Sequence, residues 1–176
     1  MGDRRAVFLD RDGTLMEEVH YCNDPTRVRV FPGVAGVLQK LRSAGWLTIV
    51  VTNQSGLATG KITPSQYLAV NNEFLRQLPG GIDAVYFCAD DPAHPTERRK
   101  PQSGMLREAA GDHGIDLSQC WMIGDKSLDV ECGRRAGCRT VLVRTGYGAT
   151  LEDTGADFVM QDVVAASDMI LALGRG

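Results

Sequence analysis

The sequence predicts an α/β protein, a Rossmann-like three-layer α/β/α sandwich around a mostly parallel sheet, built as one domain over residues 1–176. Three observations predict it. Apolar runs such as Val7-Phe8-Leu9, Trp46-Leu47-Thr48-Ile49-Val50-Val51 and Cys120-Trp121-Met122-Ile123 stop abruptly at polar or acidic tips. That is the pattern of parallel strands buried on both faces. Helical periodicity fills the intervals between them, and such alternation gives a parallel sheet with helices on both sides. The length suffices to bury a proper core, and the 43% apolar and 23% charged composition is that of an ordinary globular protein.

In chain order, the first strand runs into Asp10-Arg11-Asp12-Gly13-Thr14. Residues 15–32 are polar without a clear period and end at Phe31-Pro32-Gly33. Val34, Val37, Leu38 and Leu41 then mark a helix face, closed by Ala44-Gly45. The second strand ends at Thr52-Asn53-Gln54-Ser55-Gly56. Thr63-Pro64 predicts the cap and first position of a helix with Tyr67, Val70, Phe74 and Leu78 inward, and Pro79-Gly80-Gly81 breaks it. Ile82 to Cys88 is the third strand, followed by an irregular loop to Gln102. A helix over 103–113 carries Met105, Leu106, Ala109 and Ala110. The fourth strand leads into Gly124-Asp125, Ser127 to Ala136 is helical, and Arg139 to Val143 is the fifth strand. Phe158-Val159-Met160 precedes a terminal helix with Val163, Ala166, Met169, Ile170 and Leu173 inward.

A net charge of −3 offers no polybasic patch for nucleic acid or an anionic membrane. No apolar run reaches membrane-spanning length, and Met1-Gly2-Asp3-Arg4-Arg5 leaves no room for a signal peptide before the first strand. Cys22, Cys88, Cys120, Cys132 and Cys138 are odd in number and form no CxxC pair. They predict buried reduced thiols in a cytoplasmic protein.

In a parallel sheet, Asp10, Asp12, Thr52, Asn53 and Asp125 emerge at one edge, and Lys100 can reach it from the loop before the next helix. Crowded carboxylates repel unless a cation sits among them. Oxygen donors without His or Cys suit a hard ion, Mg²⁺ before Zn²⁺. A lysine and a hydroxyl aimed at the same point then fit a phosphate, so the expected chemistry is phosphoryl transfer.

Asp10-Arg11-Asp12-Gly13-Thr14, Thr52-Asn53, Arg99-Lys100-Pro101 and Gly124-Asp125 resemble the four motifs of the haloacid dehalogenase (HAD) superfamily, in order, over residues 5–145. The finer pattern, with Pro32-Gly33-Val34, Gln54-Ser55-Gly56 and Gly104-Met105, resembles the D-glycero-D-manno-heptose 1,7-bisphosphate phosphatases; histidinol-phosphate phosphatases share much of it. The resemblance implies a HAD-like fold and a Mg²⁺-dependent phosphatase acting on a small sugar phosphate. Asp10 would be the nucleophile and form an aspartyl-phosphate. Asp12 would protonate the leaving oxygen and then activate water. The Asp10 and Asp125 carboxylates and the Asp12 carbonyl would hold Mg²⁺. Thr52 and Lys100 would hold the phosphoryl oxygens.

Arg99 offers a bidentate fork for a second anionic group, and Lys126 could support the same cluster. Arg11, Gly13, Glu18, His20, Tyr21, Asn53, Gln54 and Ser55 complete the implied substrate contacts. Asp129 stands open between an additional acid of the site and an exposed helical residue. Many heptose bisphosphate phosphatases carry a zinc loop of the form C-x-H followed by C-x-C. Here only Cys88 remains, Asp90 stands in the His position and His94 is misplaced, so no structural zinc is expected.

The intervals from Thr14 to Pro32 and from Thr52 to Lys100 leave no room for a separate cap domain. An open site covered only by the 15–32 and 89–99 loops is predicted, with a monomer as the expected state. Histidinol phosphate or another small phosphomonoester is the alternative substrate. A phospho-acceptor signalling domain or a non-catalytic binding domain is the alternative of a different class. A second acid two residues after the nucleophile argues against the first, and a cluster of mutually repelling acids against the second.

Overall fold

The computed structural model describes residues 3–152 and 154–174. Its sheet has six strands: β1 (Arg5–Leu9), β2 (Trp46–Asn53), β3 (Ala84–Cys88), β4 (Trp121–Gly124), β5 (Arg139–Val143) and β6 (Phe158–Met160). Their order is β3-β2-β1-β4-β5-β6 and every pairing is parallel. The helices are α1 (Val34–Ser43), α2 (Pro64–Gln77), α3 (Gly104–His113), α4 (Ser127–Ala136) and α5 (Val163–Leu173).

Strand alternation divides the core between two faces. Val7 and Leu9 of β1 point to a layer with Val50, Ile123 and Val141, sealed by Leu38 of α1, Phe74 of α2 and Ile170 of α5. Ala6 and Phe8 point the other way, joining Ile49, Val51 and Met122 beneath Met105 and Leu106 of α3 and Cys132 of α4. Burying each large apolar side chain contributes about 1.5–3 kcal/mol, so β1, covered on both faces, is firmly held. The α2 cap forms as predicted: the Thr63 hydroxyl accepts from the Gln66 amide at 3.3 Å, and the Gln66 side chain accepts from the Thr63 amide at 2.8 Å.

The sheet is parallel throughout, in keeping with the expected Rossmann-like sandwich. Leu173 is half exposed at the end of α5. The third strand starts at Ala84, because the Asp83 side chain turns to the Thr48 amide and hydroxyl. Residues 15–32 are more structured than their polarity suggests: Met16 bridges Val30 antiparallel, and Leu15, Met16, Cys22 and Val28 are buried. All five cysteines are free and buried. No helix among the described residues is long and apolar enough to cross a membrane.

The strand order reverses direction between β1 and β4. Ligands bind beyond the carboxyl ends of the strands at such a switch point. The Asp10 amide donates to Ile123 O of β4 at 3.0 Å, so the chain leaves β1 at that crevice.

Candidate active site

The turn after β1 is wound around one carbonyl. Arg11 O accepts the amides of Thr14, Leu15 and Met16 at 3.3, 2.9 and 3.2 Å. Gly13 takes φ +86°, and a Cβ there would lie 2.3 Å from Asp125 Oδ2, so only glycine fits the close approach of the β1 and β4 loops. The turn delivers Asp10 to the cleft floor with Asp12 beside it.

Lys100 enters from the loop before α3, clamped by an amide. Asn53 Nδ2 donates to Lys100 O and the Lys100 amide donates to Asn53 Oδ1, each at 3.1 Å. Its ammonium has three protons and three oxygen neighbours: Asp10 Oδ1 at 2.7 Å, Asp129 Oδ1 at 2.7 Å and Val51 O at 2.8 Å. Asp10, Lys100, Asp125 and Asp129 are at most 4% exposed. Burial by itself raises the Asp10 pKa, but Lys100 and Lys126 outweigh it and hold the group below the usual carboxylate range. Burial likewise acts to lower Lys100, and the charges of Asp10 and Asp129 reverse that and raise it.

Asp125 is the acid left without a cation of its own. Its Oδ2 accepts the Tyr147 amide at 2.8 Å and Thr14 Oγ1 lies 3.5 Å from its Oδ1. Burial, with the charges of Asp10 and Asp129, pushes it up to about 8. One oxygen from each of Asp10, Asp125 and Asp129 lies within 4.8 Å of the others. Asp129 is committed elsewhere, since its Oδ1 faces Lys100 and its Oδ2 accepts the Lys126 amide at 3.0 Å. A buried set of hard oxygen donors with excess negative charge fits a small divalent cation such as Mg²⁺.

Asp12 is gripped from behind. Arg11 Nε and Nη2 donate to its two oxygens at 3.1 and 3.2 Å. Gln54 Nε2 donates to Asp12 Oδ2 and to Thr52 Oγ1, both at 2.9 Å, linking the acid to the hydroxyl. The cleft above encloses about 210 Å³. Glu18, His20, Tyr21, Asn53, Gln54, Ser55, Arg99 and Lys126, the other expected substrate contacts, line it. Arg11 and Gly13, predicted at the substrate, are not in its lining: Arg11 is 1% exposed behind Asp12, and Gly13 serves the turn. Lys126 Nζ pairs with Glu18 at 3.2 Å. Tyr21, at φ +52°, carries the Lys61 ammonium 4.1 Å over its ring.

The 15–32 and 89–99 loops are not the whole cover. Ile62 of the loop after β2 and Tyr147 of the loop after β5 also line the cleft, and neither is in the predicted set. Tyr147 could have been found from topology, because every loop following a parallel strand opens at the same sheet edge. In the loop after β3, the Asp90 carboxylate accepts the Thr96 amide and hydroxyl at 2.7 and 2.6 Å, while His94 is exposed.

Comparison with known proteins places this geometry. A HAD-hydrolase-like family model matches residues 97–167. A D-glycero-D-manno-heptose-1,7-bisphosphate 7-phosphatase of Thermosynechococcus vestitus is 38% identical over 95% of this chain and 95% of its own length. A D-glycero-beta-D-manno-heptose-1,7-bisphosphate 7-phosphatase of Haemophilus influenzae is 36% identical over 91% and 93%. The solved D,D-heptose 1,7-bisphosphate phosphatase of B. bronchiseptica, complexed with magnesium and phosphate, superimposes with a TM-score of 0.85 at 28% identity, covering 97% of this chain and 99% of that one. By this likeness along nearly its whole length, the chain belongs to the HAD-like hydrolases, in the family of the heptose-1,7-bisphosphate phosphatases.

Proposed function

We propose that this single-domain enzyme is a Mg²⁺-dependent phosphatase that removes the 7-phosphate of D-glycero-D-manno-heptose 1,7-bisphosphate through an aspartyl-phosphate on Asp10. The observation that carries the reading is the Lys100–Asp10 contact of 2.7 Å at the cleft floor. It keeps a buried carboxylate ionised where a phosphate can reach it, beside a second carboxylate suited to proton transfer. The names of the relatives support the substrate.

In this mechanism Asp10 attacks phosphorus and the P–O bond to the sugar breaks. Asp12 gives its proton to the departing sugar oxygen, then takes one from the water that attacks the aspartyl-phosphate. Regenerated Asp10 and inorganic phosphate result. Arg11 and Gln54 hold Asp12 in place for both transfers. Formation of the acyl phosphate removes the charge that Lys100 faces on Asp10, freeing one ammonium proton for a phosphoryl oxygen, with Thr52 as a further donor. The Asp10 and Asp125 carboxylates and the Asp12 carbonyl would hold Mg²⁺, which when bound supplies the positive charge that lets a carboxylate approach a phosphate.

Arg99 and Lys126 line the cleft, and their cations can meet a second phosphate, Lys126 by exchanging its Glu18 partner; histidinol phosphate lacks that group. The proposed setting is the cytoplasm, where thiols stay reduced, with a monomer acting on a small molecule. The test is Mg²⁺-dependent phosphate release from heptose 1,7-bisphosphate, fructose 1,6-bisphosphate and histidinol phosphate. Heptose bisphosphate should lead, and Asp10→Asn should retain less than about 10⁻⁴ of the rate. Preference for histidinol phosphate would reassign the substrate, and no metal-dependent release from any ester would reject the enzyme.

A further inference from the structure

Tyr147 is exposed in an unusual setting. Its side chain is 47% exposed, yet its backbone is pinned. The Tyr147 amide donates to Asp125 Oδ2 at 2.8 Å, and two residues earlier Thr145 Oγ1 donates to Gly13 O at 2.6 Å. The flanking glycines leave no slack. A Cβ on Gly146 would lie 2.7 Å from Gly13 Cα, and one on Gly148 would lie 1.9 Å from Val143 O. Arg144 Nη1 closes the turn by donating to Gly148 O at 3.0 Å. A single exposed apolar residue on a surface needs no explanation. An aromatic ring fixed on a pinned turn at the cleft does, since positioning is what a binding wall requires.

Among the large exposed hydrophobic residues described, Leu68, Phe87, Tyr147, Val159 and Leu173, Tyr147 alone lines the cleft. The Lys126 ammonium lies 4.7 Å from its ring centroid, which joins an apolar surface to a cation in one place. That pairing matches a pyranose bearing an anionic group, because a sugar ring presents a face of C–H bonds beside its charged substituent. We propose that Tyr147 is a specificity-determining residue, its ring forming the wall against which the C–H face of the substrate's sugar packs. The proposal rests on the sugar-phosphate reading above.

The test compares heptose 1,7-bisphosphate with acetyl phosphate, which has no ring, in the wild-type chain, Tyr147→Ala and Tyr147→Phe. In Tyr147→Ala the ratio of kcat/KM for the sugar ester to that for acetyl phosphate should fall about tenfold, the change lying in KM for the sugar ester. Tyr147→Phe keeps the ring and should keep the ratio. An equal loss on both substrates in Tyr147→Ala, or a loss confined to kcat, would mean the residue only supports Asp125 or Lys126 and would overturn the proposal. A wild-type chain that does not favour the sugar ester over acetyl phosphate would overturn the substrate reading itself, and the role of the ring with it.

Discussion

Lys100 Nζ lies 2.7 Å from Asp129 Oδ1, and neither side chain is more than 1% exposed. The contact gives Asp129 a purpose other than holding a cation: it orients the lysine whose other side faces Asp10. Asn at this position keeps the shape but removes the charge, and its single oxygen can accept from only one of the Lys100 ammonium and the Lys126 amide, leaving its NH2 against the other donor. Asp129→Asn should therefore lower kcat by about 10- to 100-fold, the usual cost of losing a group that orients a catalytic residue. The Mg²⁺ concentration giving half-maximal rate should change little. A shift in that concentration with kcat intact would instead make Asp129 a cation ligand.

Asn53 acts on the same lysine from the backbone side. Its two bonds to Lys100 N and O fix the loop that carries the ammonium. Asn53→Ala leaves both backbone groups without their protein partner, costing about 1–3 kcal/mol where water cannot replace it. Steady-state kinetics with urea unfolding should show a lower kcat together with a lower midpoint. An unchanged midpoint with raised KM would place Asn53 at the substrate alone.

Much of this site was legible in the sequence because parallel strands aim their tips at one edge. Asp10, Thr52 and Asp125 sit directly at such tips, so topology alone brings them together. Arg11 was not legible. The resemblance puts it at the substrate, whereas its burial against Asp12 and near the Tyr67 ring depends on α2, distant in sequence. Residues 15–32 were missed for a related reason. Their apolar positions follow neither a strand nor a helix period, and their order comes from the Met16–Val30 bridge and a hydrogen bond from the Val30 amide to Gln77. Asp129 and Gln54 have roles set by distances among side chains from different loops, which no local pattern encodes.

Gly146 holds the β5 loop against the β1 turn. A Cβ there would lie 2.3 Å from Asp125 Oδ2, and its φ of +52° disfavours other residues. Gly146→Ala must push Asp125 or Gly13 aside, disturbing the carboxylate that is to hold the cation. The half-saturating Mg²⁺ concentration should rise about 10- to 100-fold, measured from phosphate release at fixed substrate. An unaltered Mg²⁺ requirement would show that the loop yields without moving Asp125.

Asp83 provides a pH test at the opposite edge of the sheet, away from the chemistry. Its carboxylate accepts the Thr48 amide at 2.8 Å and Arg42 Nη2 at 2.7 Å, tying α1 and β2 to the start of β3. Burial acts to raise its pKa, and Arg42 and Thr48 together outweigh it, so the group ends below its usual 3.8. A carboxyl with a lower pKa folded than unfolded adds stability above the unfolded value, and that stability is lost as pH falls through the folded one. Asp83→Asn should cost about 1 kcal/mol at pH 7 with kcat intact. The gap to the wild-type chain should close as pH falls below about 4 and through the lowered folded value, where the wild-type carboxyl takes up its proton. Urea midpoints across that range decide the matter, and a gap of constant size at every pH would mean that the ionised form of Asp83 contributes nothing.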